Sequence, residues 1–423
     1  MPQFLPGGRA VLFTLATGAG ASPWLNAQIV VQELGGSTRR VLVEPGLDAR
    51  YLPTGHLVYE REQSLVAVAF DVDRLAVTGE PVPVVERVNR PNFAVGDDGS
   101  LVFLRSFDER RERRLVWVDR EGREEPLPAE AGFYNSLRIS PDGSKVALVL
   151  ADHESWLSGE IYILALAREA LTRLTIDPSG DLIPTWTPDG ERLAFVSSRD
   201  GSFDLYMKAA DGTGMVEQLT DSPNDSPPWS FTRDGKRLVL GDYHPETGMD
   251  LLLMTLLDGS HESEVLLATE FDEWKAMVSP DDRWLVYQST ASGQVEIYLR
   301  PFPAVQDGRW QLSSGGGTHP RWAPDGREVF YKSPDGQLMA VPIQTEPSVV
   351  FGRPSMLFDG LIVNDDAAGD GYTYDIAPDG QRFLVIKEEA VAGGQDDPLA
   401  GLDQLHVVLN WFEELERLVP SKK

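Results

Sequence analysis

The chain has 423 residues, a formal net charge of −28, 39 glycines, 30 prolines and no cysteine. Without cysteine, disulfide scaffolds and zinc–thiolate sites are excluded. So strong a negative charge repels phosphate backbones, which sets nucleic-acid binding aside and favours cationic partners. At 42% hydrophobic residues, with 10 Trp, 11 Tyr and 17 Phe, the chain has the apolar surface for a large core.

In chain order, one turn signal returns nine times. It reads Pro6-Gly7-Gly8, Pro53-Thr54-Gly55, Asp97-Asp98-Gly99, Pro141-Asp142-Gly143, Pro188-Asp189-Gly190, Arg233-Asp234-Gly235, Pro280-Asp281-Asp282, Pro324-Asp325-Gly326 and Pro378-Asp379-Gly380. The spacings are 47, 44, 44, 47, 45, 47, 44 and 54 residues. Pro pre-sets φ, Asp bonds its own backbone and Gly supplies positive φ, so each tripeptide is a tight turn. An apolar residue stands two positions before it, as at Ile139, Trp186 and Trp322. An alternating apolar run follows, as at Val146 and Leu148 or Leu193 and Phe195. Period-two alternation predicts half-buried strands.

A third strand is predicted in every unit, among them 29–34, 65–70, 115–119, 161–166 and, in the last unit, 406–410. A fourth is predicted in eight units, among them 40–43, 125–127, 171–174 and 355–358. Four antiparallel strands every roughly 40–45 residues are the signature of propeller blades. Paired-helix repeats do not fit, because the period is two and a Pro-Asp-Gly turn interrupts every unit. The expected fold is therefore all-β: one β-propeller spanning 1–423, with four-stranded antiparallel blades and about nine repeat units. Eight blades plus a degenerate unit is the alternative.

The units start near 3, 49, 93, 137, 184, 229, 276, 320 and 374. Units two and eight form a subtype, with a short second-to-third-strand connection and then Gly79-Glu80-Pro81 or Gly352-Arg353-Pro354. The last unit lacks a fourth strand and passes into an amphipathic helix at 411–419. The first unit opens directly on its innermost strand. A ring must satisfy its edges, so the missing strand is expected from a longer parent chain. No basic, apolar leader stands at residues 1–8 and no run approaches the roughly 18 apolar residues of a membrane helix.

The units from Ser140-Pro141-Asp142-Gly143 through Leu174-Thr175, and from Thr187-Pro188-Asp189-Gly190 through Leu219-Thr220, resemble TolB-type propeller repeats. A second resemblance covers nearly the whole chain. Pro2-Gln3-Phe4-Leu5-Pro6, Gly79-Glu80-Pro81-Val82-Pro83, Tyr298-Leu299-Arg300-Pro301-Phe302-Pro303, Gly315-Gly316-Gly317 before Pro320-Arg321-Trp322, and Val407-Val408-Leu409-Asn410-Trp411 are similar to the C-terminal propeller of bacterial transmembrane serine/threonine protein kinases. That resemblance implies a sensor or interaction module, extracytoplasmic if this is a piece of such a receptor and otherwise cytoplasmic. No kinase motif is present, so kinase activity does not carry over.

No Gly-x-Ser-x-Gly nucleophile elbow and no phosphate-binding loop occurs in the sequence. The six histidines fall in no i, i+4 pair. Asn135, Asp181, Asp225, Glu273 and His319 stand a few residues ahead of their tripeptides, which suggests a polar ring at one channel mouth. Such a ring would take a basic ligand group or Ca²⁺, although Asp181 and Asp225 read more readily as turn caps ahead of the strands. Connections at 16–27, 107–114, 152–160 and 243–249 carry Trp24, Trp156 and Tyr243, aromatic candidates for binding. The expected function is non-catalytic binding of a protein, peptide or small molecule, with no catalytic residue, cofactor or metal assigned. The alternatives are a metal-assisted lactonase or lyase with carboxylates at the channel, and the accessory propeller of a prolyl-oligopeptidase-like peptidase.

Overall fold

A computed structural model describes residues 2–420 apart from 17–26, 37, 62–63, 86–87, 106–111, 152–158, 245–246, 258–259, 363–370 and 389–404. The described strands form nine antiparallel sheets, followed by one α-helix, Trp411–Leu418. The all-β class, the four-stranded blades and the short C-terminal helix agree with the sequence. The chain divides into two compact units, residues 1–110 with 390–423, and residues 111–389.

The turns fold for the reasons the tripeptide suggests. In Thr187-Pro188-Asp189-Gly190, Asp189 accepts from the Glu191 N–H at 2.9 Å and from the Thr187 hydroxyl at 2.5 Å. Gly190 sits at φ +71°, a conformation L side chains rarely adopt. The same Asp-centred bonds recur at Asp142, Asp234 and Asp281.

In residues 111–389 six blades close into a ring. Blade 1 orders Tyr374–Ile376, Arg382–Glu388, Arg113–Asp119 and Glu124–Pro126 from the inside outward. Blade 2 is Tyr134–Ile139, Lys145–Leu150, Glu160–Ala165 and Ala170–Arg173. Blade 3 begins with Asp181–Trp186 and blade 4 with Pro228–Phe231. Blade 5 begins with Glu273–Val278 and blade 6 with Thr318–Trp322. The ring is sealed where Ala323, Phe330, Leu338 and Ala340 of blade 6 pack on Val116, Ile376, Phe383 and Val385 of blade 1. The apolar residue two positions before each tripeptide is buried between blades: Ile139, Trp186, Phe231, Val278, Trp322 and Ile376 are at most 9% exposed. Each such side chain contributes roughly 1.5–3 kcal/mol of burial. The indole N–H of Trp186 also donates to the Arg138 carbonyl of blade 2, and that of Trp322 to the Met277 carbonyl of blade 5.

The other unit holds three sheets. The first is Gln3–Phe4, Ala10–Leu15, Gln28–Glu33 and Arg39–Val43. The second is built on Leu47–Leu52, His56–Arg61 and Ser64–Asp71. The third joins Val88–Val95, Leu101–Arg105 and Leu405–Val408. The helix buries Trp411, Leu415 and Val419 against Leu52, Val58, Leu65 and Leu101. Trp411 N–H donates to the Gly99 carbonyl at 2.9 Å.

Two strand assignments differ from the sequence reading. Residues 115–119, expected in the third unit, pair with Arg382–Glu388 of the ninth. The strand expected at 406–410 in the ninth unit, observed as Leu405–Val408, pairs with Leu101–Arg105 of the third. Units three and nine have thus exchanged outer strands, and the six-bladed ring closes without the first two units. The expected single ring of nine consecutive blades is corrected accordingly. The physical reason is that every unit carries the same alternation, so the period does not encode which inner hairpin an outer strand joins. Closing the ring edge decides it. The ninth hairpin obtains both outer strands from this chain. The subtype of units two and eight is visible: in both, the third strand pairs with two short strands, Ala76–Val77 and Val82–Val85, or Val350–Phe351 and Ser355–Phe358.

Candidate functional site

Strand direction gives the six-bladed ring two unlike rims. Inner strands run toward the Pro-Asp-Gly turns, so the opposite rim carries the connections from second to third strands and from each outer strand to the next blade. The loops of this second rim are pinned by a recurrent latch. In blade 3, Asp204 opens the third strand and accepts from the Thr220 hydroxyl at 2.8 Å and the Ser222 N–H at 3.0 Å. Thr220 Oγ1 in turn accepts from the Leu205 N–H at 2.8 Å. Blade 2 repeats it with Glu160, Thr175 and the Ile161 N–H. Blade 5 repeats it with Glu296, Ser313 and the Ile297 N–H, and Glu296 also accepts from Gly315 and Gly316 N–H. A charge-assisted bond to backbone N–H is among the stronger ones available to a loop. The pairs Leu174-Thr175, Leu219-Thr220 and Leu312-Ser313, which follow the outer strands of blades 2, 3 and 5, are its sequence signature.

The five residues expected to form a polar ring do not share one register, since their offsets from the tripeptide run from five to eight. All five are buried, at 0–6% exposure. Asp181 is held by Arg199 at 2.7 Å. Asp225 accepts from the Phe203 N–H at 3.2 Å. Glu273 accepts from the Thr269 hydroxyl at 2.6 Å, and burial, with smaller contributions from the Asp250 and Asp272 charges, pushes its carboxyl up to about 7. Asn135 lies beside Gly371, where an added Cβ would come within 2.8 Å of its Oδ1. His319, in the left-handed region at φ +55°, sets its Nε2 2.5 Å from Lys275 Nζ and 3.1 Å from the Gly371 carbonyl. The first three secure loops or a strand start, while Asn135 and His319 pack where blades 1, 2, 5 and 6 meet. Among the described residues, no group of three or more His, Asp or Glu side chains is arranged to hold a metal ion. Trp24 and Trp156 lie outside the described residues. Tyr243 is half-buried at the end of a second strand, its N–H donating to the Asp225 carbonyl.

The innermost polar layer lies instead three residues before the tripeptides. Around the ring it reads Arg138, Thr185, Ser230, Arg321 and Asp375, with the apolar Met277 at the matching place in blade 5. These side chains tie neighbouring blades: Ser230 Oγ accepts from the Val278 N–H, and Asp375 Oδ2 from the Ile139 N–H at 2.9 Å. Asp375 lies between the two arginines, 3.6 Å from Arg138 Nε and 3.5 Å from Arg321 Nε. Tyr372, 1% exposed, is the hub, with Arg321 Cζ 3.8 Å, Arg138 Cζ 5.0 Å and Lys275 Nζ 5.7 Å from its ring centroid. Burial first, and then the Arg321 charge, pull the Arg138 guanidinium down to about 10. Sequence reasoning missed this layer. The available signal was a charged residue immediately before the buried apolar position, in Arg138-Ile139, Arg321-Trp322 and Asp375-Ile376.

A closed ring of six antiparallel blades, five of them four-stranded and one five-stranded, around a polar axis defines a β-propeller. The chain belongs to the TolB β-propeller family: the model for the PD40, TolB beta propeller domain matches residues 88–300. Over 263 residues it is 27% identical to the uncharacterized protein Atu1656 of Agrobacterium fabrum, covering 58% of this chain and 84% of that protein. Over 234 residues it is 25% identical to the uncharacterized peptidase YuxL of Bacillus subtilis, covering 53% of this chain. It spans only 33% of YuxL. Among solved structures, a putative TolB from Agrobacterium tumefaciens superposes with a TM-score of 0.53 at 17% identity, over 66% of this chain and 99% of that one. That likeness concerns the fold.

Proposed function

We propose that this chain is a non-catalytic binding propeller, a sensor or interaction module that receives a protein or peptide partner on the loop rim of its six-bladed ring. The observation that carries this reading is the repeated acid–hydroxyl–backbone latch at Glu160, Asp204 and Glu296, which fixes the rim loops before any partner arrives. Loops held in advance lose little conformational entropy on binding. The loops of this rim also carry the apolar Ile176, 81% exposed, and the carboxylates Asp177, Asp200 and Asp221, which suits a partner with a basic, partly apolar face. The resemblance to the propellers of receptor-type serine/threonine kinases supports an extracytoplasmic sensing role in a longer protein. Among the described residues, no helix is long and apolar enough to cross a membrane. A second reading, the accessory propeller of a peptidase, is favoured by the likeness to YuxL.

A photo-crosslinking residue at Ile176, compared with one at Met215 on the opposite rim, tests the proposal in cells of the native host. Discrete adducts from Ile176 alone are expected. Equal labelling from both rims, or none from either, would sink it. Adducts to a peptidase domain would select the second reading.

A further inference from the structure

The axis of the six-bladed ring concentrates positive charge where none is exposed. Arg321 is 1% exposed, Arg138 8% and Lys275 0%, and the two arginines share one carboxylate, Asp375. At 3.5–3.6 Å that carboxylate is an ion-pair neighbour of both Nε atoms without forming a hydrogen bond to either. The Nε and one terminal nitrogen of each guanidinium, four buried donors in all, have no acceptor among the described residues. An unmet buried donor costs roughly 1–3 kcal/mol, and more when charged, and one carboxylate cannot neutralise two buried guanidinium groups. Stacking on the Tyr372 face supports the guanidinium carbons. It leaves the in-plane N–H groups still in need of acceptors. This arrangement suits a planar or tetrahedral oxyanion, for which an arginine fork is the complementary shape.

We propose that the axis of the six-bladed ring is an oxyanion-binding site, in which a carboxylate or phosphate group accepts from the unpartnered N–H groups of Arg138 and Arg321 beside Tyr372, with Lys275 adding charge. The site is distinct from the loop rim and does not depend on the partner-binding reading. Asp375 serves as the resident counter-charge: it holds the two arginines together and limits how tightly an anion binds.

The test is calorimetric titration of the full chain with sodium phosphate and, separately, sodium acetate, at ionic strength held with sodium chloride. Thermal unfolding is followed in parallel. Saturable binding of one anion per chain with a rise in melting temperature is expected. The arm that saturates identifies a phosphate or a carboxylate as the ligand group. Arg321→Met and Arg138→Met should each weaken binding at least tenfold. Asp375→Asn should tighten it several-fold, an effect that a merely structural role would not produce. Circular dichroism checks that each variant is folded. The wild-type and Asp375→Asn titrations decide the matter even where an arginine variant does not fold. No saturable binding of either anion by either protein would overturn the proposal, as would a folded Arg321→Met that binds like wild type.

Discussion

Val116 pairs with Val385 in the antiparallel register of the closing blade, joining the first strand of the six-bladed unit to its last. The whole of Arg113–Asp119 is in register with Arg382–Glu388. Closed in this way, Arg382–Glu388 is paired on both sides, by Tyr374–Ile376 and by Arg113–Asp119.

Residues 111–389 should therefore fold alone, with β-type circular dichroism and one cooperative urea transition. A version beginning at residue 121 loses Leu115, Val116 and Val118, each at most 6% exposed. It also bares the edge of Arg382–Glu388. At roughly 1.5–3 kcal/mol per side chain it should lose about 5 kcal/mol or more. Equal urea midpoints for the two fragments would contradict the closure.

The latch makes a local prediction. Thr220→Val removes the hydroxyl that donates to Asp204 and accepts from the Leu205 N–H. The expected cost is about 1–3 kcal/mol. Hydrogen exchange should rise at Ser222, whose N–H is bonded to Asp204, while the Pro188-Asp189-Gly190 turn on the other rim keeps its protection.

Glu273 predicts a pH dependence of unusual sign. Its carboxyl is pushed up to about 7 in the folded chain, so folding takes up a proton between its ordinary range and that value. Its contribution is present below about pH 4.5 and is lost as pH rises through about 7. Glu273→Gln keeps the shape without the charge. It should leave stability near pH 4.5 unchanged and raise it above pH 7 by about 1–3 kcal/mol. Urea unfolding at the two pH values checks this, and identical pH profiles for both proteins would refute it.

The turn aspartates predict the opposite slope. Bonds from the Ser140 hydroxyl, the Ser144 N–H and the Ser144 hydroxyl hold the Asp142 carboxyl down to about 2, and similar bonds lower Asp189 and Asp234. Their contribution is present above about pH 4 and is lost as pH falls toward 2. Asp142→Asn and Asp189→Asn together should flatten acid unfolding followed by tryptophan fluorescence below pH 4.

Some of this was legible in the residues themselves. The nine turns, the strand alternation and the kinship of units two and eight follow from local chemistry: Pro and Gly dihedrals, Asp bonding its own backbone, and period-two burial. Even the latch has a local trace in Leu174-Thr175, Leu219-Thr220 and Leu312-Ser313. The candidate site was less legible. Asp181 and Asp225 were visible as polar residues ahead of inner strands, but whether they face a ligand or secure a loop depends on Arg199 and on the Phe203 N–H, 18 and 22 residues away.

What the sequence determined alone is therefore the repeating unit: its turn, its four-strand rhythm and its all-β class. These depend on contacts within one hairpin, and the side chains that make them lie within a few residues of each other. The tertiary structure decided which hairpins close on which. It joined residues 113–119 to 382–388 and 101–104 to 405–408, and it brought Arg138, Arg321 and Asp375 from three blades to one tyrosine. Because each outer strand has the same alternation, several pairings satisfy the local pattern equally. Only eliminating the free edge and burying both ends of the unit together separates them.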